Sequence, residues 1–415
     1  MVKRILFAVL IAAVVLPFAF AGGDGETQSR KLVINSNLSD PVPKAEFNKL
    51  VDQFRAEYPD IDVTLNQFDH EAYKTAIRNF LASEPPDIAL WFAGNRMKFF
   101  VDEGLFDDIS DVWADNGLYD AMSSSRSALT VDGKQYGVPW GFYQWGIYYR
   151  TDLFEQVGAD IPETWDEFLS VCADLKAAGI TPITIGTKFL WTAGGWFDYL
   201  NLRVNGIDYH MDLMLGDASY KDPELTEVFS VWKDLLDKGY FLENHATYSW
   251  QEAQAPLING TAAMYLIGNF IVPDLTNAGV IDKIGYFQFP EIVPGIGMYE
   301  DAPMDTFHIP SGAENKEEAR LFLQFVARPD IQAQFAYATG NLPPNKYADP
   351  PTERFARLGF ETLSAADGLA QFYDRDTNPE MASVGMEGFQ EFMVNPDRLP
   401  AILDRLDNER ISVFK

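Results

Sequence analysis

From residue 31 the chain switches repeatedly between two hydrophobic periods. Residues 31–35 (KLVIN) form a short apolar run, and within 42–58 Phe47, Leu50, Val51 and Phe54 recur at helical spacing. Alternation with period two returns at 61–68, helical spacing at 71–83, and after Pro85-Pro86 an apolar run fills 87–92 (DIALWF). This β-α-β-α-β order predicts a parallel sheet with helices on both faces, and such sheets bind ligands beyond the carboxyl ends of their strands. Those ends, Asn35-Ser36-Asn37 and the stretch from Trp91 to Arg96, make Asn37, Trp91, Asn95 and Arg96 candidate contacts.

The pattern changes after residue 128. Asp132-Gly133 is a tight-turn dipeptide, so 129–131 and 135–138 are expected to pair around it. Trp140, Phe142, Tyr143, Trp145, Tyr148 and Tyr149 then place six aromatic rings in ten residues, with Gly141 and Gly146 among them. We read this stretch as a strand that leaves one lobe and enters a second, its rings on the wall between them. The alternative is a core strand, and alternation along a strand sends at least one of Trp140, Tyr143 and Trp145 inward.

Beyond it, Thr164-Trp165-Asp166-Glu167 is a capping box that opens a helix ending before Gly179. A strand at 182–186 runs into the glycine and aromatic cluster 187–198 (TKFLWTAGGWFD), with Trp191, Trp196 and Asp198, and a helix is expected over 196–205. Further strands are predicted at 262–267, 284–289 and 306–309, and helices at 223–238, 315–327 and 329–338. Pro290, Pro294 and Pro343-Pro344 punctuate further crossings between lobes.

Composition narrows the class. A chain of 415 residues exceeds what one core usually covers, so two domains are the default. Residues 1–21 read as a signal peptide, with Lys3 and Arg4, an apolar run, and Ala19-Phe20-Ala21 as the cleavage site. This places the mature protein in the periplasm, with residues 22–30 as a flexible leader, and no later stretch is apolar enough for membrane insertion. The single Cys172 cannot form an internal disulfide and is expected to be buried and inert. With 32 basic and 61 acidic residues the net charge is −29, and removing Lys3 and Arg4, each +1, leaves −31. Nucleic acid and anionic lipid are therefore poor partners. The four histidines are scattered without metal-ligand spacing, no nucleophile elbow or P-loop is present, and neither cofactor nor metal is expected.

Several phrases, in their joint order, resemble one family. They are Pro86-Asp87-Ile88, Asp132 through Pro139 running into Tyr148 through Phe154, Pro162 through Phe168, Asn259-Gly260-Thr261-Ala262-Ala263-Met264 with Gly268-Asn269-Phe270, and Ile309-Pro310 with Asn315 through Ala319. Together they are similar to the extracellular solute-binding proteins of ABC carbohydrate importers, of the maltose-binding type. The resemblance implies an α/β, two-lobed periplasmic-binding-protein fold. Each lobe would be a mainly parallel sheet flanked by helices, the two joined by hinge strands that close on a sugar. It implies lobe 1 from 31–140 plus 290–343, lobe 2 from 141–289 plus 344–415, a monomer, and delivery to ABC permease subunits. Arg150 departs from the pattern, since members carry Asn there.

The chemistry of a sugar agrees with these residues. Its C–H faces stack on aromatic rings, and its hydroxyl edge takes directed hydrogen bonds, the stronger ones from charged groups. By resemblance, Trp91 with Asn95 and Arg96 matches a ring and polar pair after the third strand, and Tyr143 and Gln144 flank a carboxylate position. Trp191, Trp196 and Asp198 match an aromatic loop of the second lobe, and Phe270 a tryptophan platform. Trp140, Trp250, Asn269 and the Tyr373-Asp374-Arg375 run complete the candidates; Asp374 to Asp376 also reads as a surface ion-pair run. A binding protein of the same fold for a polyol or other non-sugar solute is the alternative, and a secreted glycoside hydrolase a weaker one, because an acidic chain supplies carboxylate pairs by chance.

Overall fold

The computed structural model describes residues 30–415. The signal segment 1–21 and residues 22–29 of the leader lie outside them. Arg30, expected to end the leader, is instead the first residue of a strand and is tied to Glu318 at 2.7 Å and Asp60 at 2.9 Å.

In chain order the strands are β1 (Arg30–Ser36), β2 (Ile61–Gln67), β3 (Ile88–Phe92), β4 (Thr130–Val131), β5 (Lys134–Gln135), β6 (Val138–Phe142), β7 (Trp145–Arg150), β8 (Thr181–Ile183), β9 (Ala262–Gly268), β10 (Ile284–Phe287), β11 (Tyr299–Asp301), β12 (Met304–His308) and β13 (Gly368–Ala370). One sheet has the order β2-β1-β3-β12-β6 and a second the order β10-β7-β9-β8. The hairpin at Asp132-Gly133 forms, with Thr130 opposite Gln135 and both turn residues at positive φ (49° and 77°).

Each sheet carries one strand running against the rest. β12 is antiparallel to both β3 and β6, and β7 to both β9 and β10, whereas β1 with β2, β1 with β3, and β8 with β9 pair in parallel. Both reversed strands are those by which the chain arrives from the other sheet. A segment that leaves one sheet at the carboxyl ends of its strands must enter the next at the same end, so it runs backwards. All crossings therefore gather where the carboxyl ends of the parallel strands face one another.

Two hydrophobic cores follow from the two sheets. One draws on residues 32–140 and 304–335, with Phe47, Phe54, Trp113 and Phe307 at its centre; the other draws on 145–289 and 355–406, with Phe197, Phe229, Trp232 and Phe389. Cys172 is buried in the second core, as expected of a lone cysteine. The capping box at Thr164 and Glu167 forms at the start of the Trp165–Ala177 helix, worth about 1 kcal/mol. No helix among the described residues is long and apolar enough to cross a membrane.

One helix departs from its predicted place. The segment read as a loop before residue 196 is already helical from Trp191, in a helix that runs to Val204. Gly194 and Gly195 argue against a helix on propensity, each at a cost of about 1 kcal/mol. Packing overrides that cost, because a Cβ at Gly195 would stand 2.8 Å from the Trp145 ring and 3.3 Å from Phe372.

Candidate functional site

Three crossings join the sheets: residues 143–144 between β6 and β7, 288–303, and 339–353. Between the two cores they enclose a cavity of about 130 Å³. At roughly 10–15 Å³ per water-sized sphere this is space for about ten waters, the bulk of one or two sugar rings.

One wall is aromatic. Trp145 comes from the start of β7, Trp191 from the first turn of its helix, Trp250 from the segment before β9, and Phe270 from the turn after it. The rings meet edge to face: Trp145 and Trp191 at 5.9 Å and 88°, Trp250 and Phe270 at 5.0 Å and 85°, Tyr143 and Phe270 at 5.3 Å and 90°. Edge-to-face packing holds each ring by its neighbour, and it leaves Trp191, Trp250 and Phe270 partly exposed while Trp145 is buried behind them.

A polar set adjoins these rings through Tyr143. The Tyr143 hydroxyl donates to Asp305 Oδ2, and Arg375 lies 3.2 Å from Asp305 Oδ1 and donates to the Met304 carbonyl at 2.8 Å. Its guanidinium also sits 4.4 Å over the Phe92 ring. Asp374 is held at 2.7 Å by Arg96. Burial pushes the Asp305 carboxyl up, while Arg375 and the Tyr143 hydroxyl pull it back. Burial and the Asp305 charge push the Tyr143 phenol well up, so it remains a donor. Half-buried His70 is driven down to about 3 by burial and the Lys74 charge and is neutral at physiological pH. Burial also lowers Lys74, which pairs with Glu71 at 3.1 Å. Trp140 Nε1, Trp145 Nε1 and Asn341 Oδ1, in three buried residues of this lining, have no hydrogen-bond partner.

Of the sequence candidates, the cavity brings together Asn37, Trp140, Tyr143, Trp191, Trp250, Phe270, Asp374 and Arg375. The others do not reach it, each for a local reason. Trp91 points into the first core against Tyr73 and Phe100, and the next residue, Phe92, takes the cavity side because neighbouring side chains alternate. Asn95 and Arg96 stand behind the wall, Asn95 donating to the Asp376 carbonyl at 2.6 Å and Arg96 to Asp374. Gln144 and Asn269 clamp each other at the crossing: the Asn269 amide donates to the Gln144 carbonyl at 2.8 Å, and the Gln144 side chain donates to the Tyr286 hydroxyl at 2.6 Å.

Trp196 follows Trp191 by five positions, a rotation of about 140°, and faces Phe241 and Phe289 in the core. Asp198 shares Trp191's face but lies about two turns deeper, where it accepts the Tyr373 amide at 2.7 Å. Tyr373 is buried against Phe197 and Phe389. Arg150 has a structural role: it pairs with Asp152 at 2.7 Å and donates to the Leu257 and Ile258 carbonyls.

Sequence reasoning missed Phe92, Asp305, Asp40, Asp274 and Asn341 as lining residues, whereas Phe372 belongs to the 372–376 run it had singled out. Phe92 was within reach of the alternation argument, and Asp305 would have followed had β12 been expected from Met304 rather than Thr306. No local signal marks the rest. Among the described residues no group of three or more His, Cys, Asp or Glu is arranged to hold a metal.

A cleft between two α/β cores, spanned by three crossings and lined by residues from both, defines a solute-binding receptor. The model for the bacterial extracellular solute-binding proteins matches residues 39–333, and the chain belongs to that family. It is 26% identical to an ABC transporter extracellular-binding protein of Pyrococcus horikoshii, over 85% of this chain and 82% of that one. It is 25% identical to the multiple sugar-binding protein of Streptococcus mutans, over 68% of each. The structure superposes with a TM-score of 0.89 on the bacterial solute receptor AcbH, described with an exclusive preference for β-D-galactopyranose; that match is 30% identical and covers 93% of this chain and all of the other.

Proposed function

We propose that the protein captures a mono- or short oligosaccharide outside the cytoplasmic membrane and delivers it to the permease subunits of an ABC importer. The observation that carries the reading is the mixed lining of the cavity: an edge-to-face set of Trp145, Trp191, Trp250 and Phe270, joined through Tyr143 to the Asp305–Arg375 hydrogen-bonding group. A pyranose presents these two surfaces, apolar C–H faces and a hydroxyl rim. The sugar-binding relative and the galactopyranose receptor support the same class.

In this reading the two cores are lobes that meet near residues 140, 290 and 343 and rotate about the three crossings. Sugar shifts the open and closed populations by its differential affinity for them. The protein acts as a monomer exported to the periplasm through its first 21 residues, and it binds rather than converts its ligand. A thermal-shift screen against monosaccharides, oligosaccharides and polyols tests this, because a ligand in excess raises stability by RT ln(1 + [L]/Kd). A shift with at least one sugar, and no cleavage of it on incubation, is expected; a panel in which no sugar shifts the midpoint overturns the reading.

A further inference from the structure

One segment of the second core reaches the first without being one of the three crossings. Residues 371–376 follow β13, which pairs in parallel with β11 on the 288–303 crossing, and end in the short helix Tyr373–Asp376. On one side the segment is rooted in the second core. The Tyr373 ring packs edge to face on Phe197 at 5.5 Å and on Phe389 at 4.8 Å, and its amide donates to Asp198 Oδ2 at 2.7 Å.

On the other side it is tied to the first core. Asn95 Nδ2 donates to the Asp376 carbonyl at 2.6 Å, and Arg96 donates to Asp374 Oδ2 at 2.7 Å. Arg375 donates to the Met304 carbonyl at 2.8 Å, and the Met304 amide donates to Gln371 Oε1 at 3.3 Å. The side chains of Arg96 and Asp374 are 17% and 8% exposed, so solvent screens the pair little. The two backbones also meet: Gly94, at φ 70°, lies so near that a Cβ would stand 2.6 Å from the Arg375 carbonyl oxygen. Asn95 and Arg96 open the Asn95–Asp102 helix directly after it, and neither lines the cavity.

We propose that residues 371–376 form a fourth, non-covalent connection between the lobes, which holds a share of the ligand-free protein closed. Asn95 and Arg96 are then positioning residues that act on the cleft through it. Rotation about the crossings parts the Asn95–Asp102 helix from a segment fixed in the second core, so these bonds favour the closed form over the open one. They set how much of the protein is closed before a ligand arrives, and apparent affinity scales with that fraction. The inference deepens the closure reading above.

The test needs no ligand. At the lip Gln251 Nε2 donates across the cleft to Asp40 Oδ1 at 3.1 Å. Spin labels on Lys44→Cys and Ala255→Cys, two exposed positions near that contact, report the lip distance by pulsed dipolar spectroscopy, and the buried Cys172 stays unlabelled. Two distances are expected in the parent protein, the shorter matching this structure. Asn95→Ala should lower the ratio of short to long about fivefold, the worth of one ordinary hydrogen bond, and Arg96→Met, which strands the Asp374 charge, should lower it further. Phe322→Leu, in the first core and away from the segment, should lower the melting midpoint and leave the ratio unchanged. A single long distance in the parent protein, a ratio unmoved in both Asn95→Ala and Arg96→Met, or an equal fall in Phe322→Leu overturns the inference. A sugar panel without a hit would instead overturn the carbohydrate reading alone.

Discussion

Replacing Arg375 with methionine strands a buried carboxylate, and the structure sets the size of the effect. Arg375 and Asp305 meet at 3.2 Å with side chains 11% and 6% exposed, and the guanidinium also satisfies the Met304 carbonyl. Removing one partner of such a pair costs about 3–5 kcal/mol, because the remaining charge loses its compensation while staying out of water. At roughly 2–4 °C per kcal/mol the ligand-free midpoint should fall by about 10 °C.

Asp305→Asn in the same background removes the stranded charge, so the double variant should lie well above Arg375→Met. The sign of the pH dependence follows from Asp305, whose folded carboxyl is already raised by burial and loses the downward pull of Arg375 in the variant. A raised acid carries no penalty below its unfolded value of about 3.9 and a growing one as pH rises. The deficit of Arg375→Met relative to the parent protein should therefore be smaller at pH 5 than at pH 8. Circular-dichroism melts of the four proteins at both pH values decide it. Additive losses in the double variant, or a deficit that widens towards pH 5, would refute the reasoning.

Other residues make separate tests. Trp191→Ala removes a half-buried ring that packs on Trp145, Trp250 and Phe270, and should weaken sugar binding by about 2–3 kcal/mol while lowering the ligand-free midpoint by a few degrees at most; calorimetry with an unchanged Kd would take Trp191 out of the site. Asp301 is fully buried with both oxygens unpartnered, and burial and its acidic neighbours Asp376 and Glu300 raise its carboxyl well above the ordinary value. Asp301→Asn should therefore melt above the parent protein at pH 8, with the gap closing as pH falls towards 4; a gap that widens on acidification contradicts this. Gly195→Ala should lower the midpoint by about 1–3 kcal/mol equivalent, because the new Cβ meets Trp145, whereas helix propensity alone predicts a gain of about 1 kcal/mol. The sign of the shift separates the two.

Hydrophobic periodicity was enough to place most strands and helices, and the cluster from Trp140 to Tyr149 marked the first crossing. These are local properties: a helix or strand that buries one face must repeat its apolar residues at the period of that element, and a capping box or an Asp-Gly turn acts within four residues. Tyr143, Trp250 and Phe270 reached the cavity for the same reason, since a break in the pattern coincides with the end of an element, whereas Gln144 on the same crossing turned to Tyr286.

Tertiary structure decided which side chain faces the cleft. On β3 a single step of parity gave the position to Phe92 instead of Trp91. In the Trp191 helix, packing of Gly195 on Trp145 started the helix five residues early and turned Trp196 into the core. The hydrogen bond from Gln251 to Asp40 lay beyond local reading altogether, because the two residues meet across 211 positions of sequence. Contacts of that kind are made only when two separately folded cores bring their strand ends together, and no repeat along the chain records which residues will stand opposite each other.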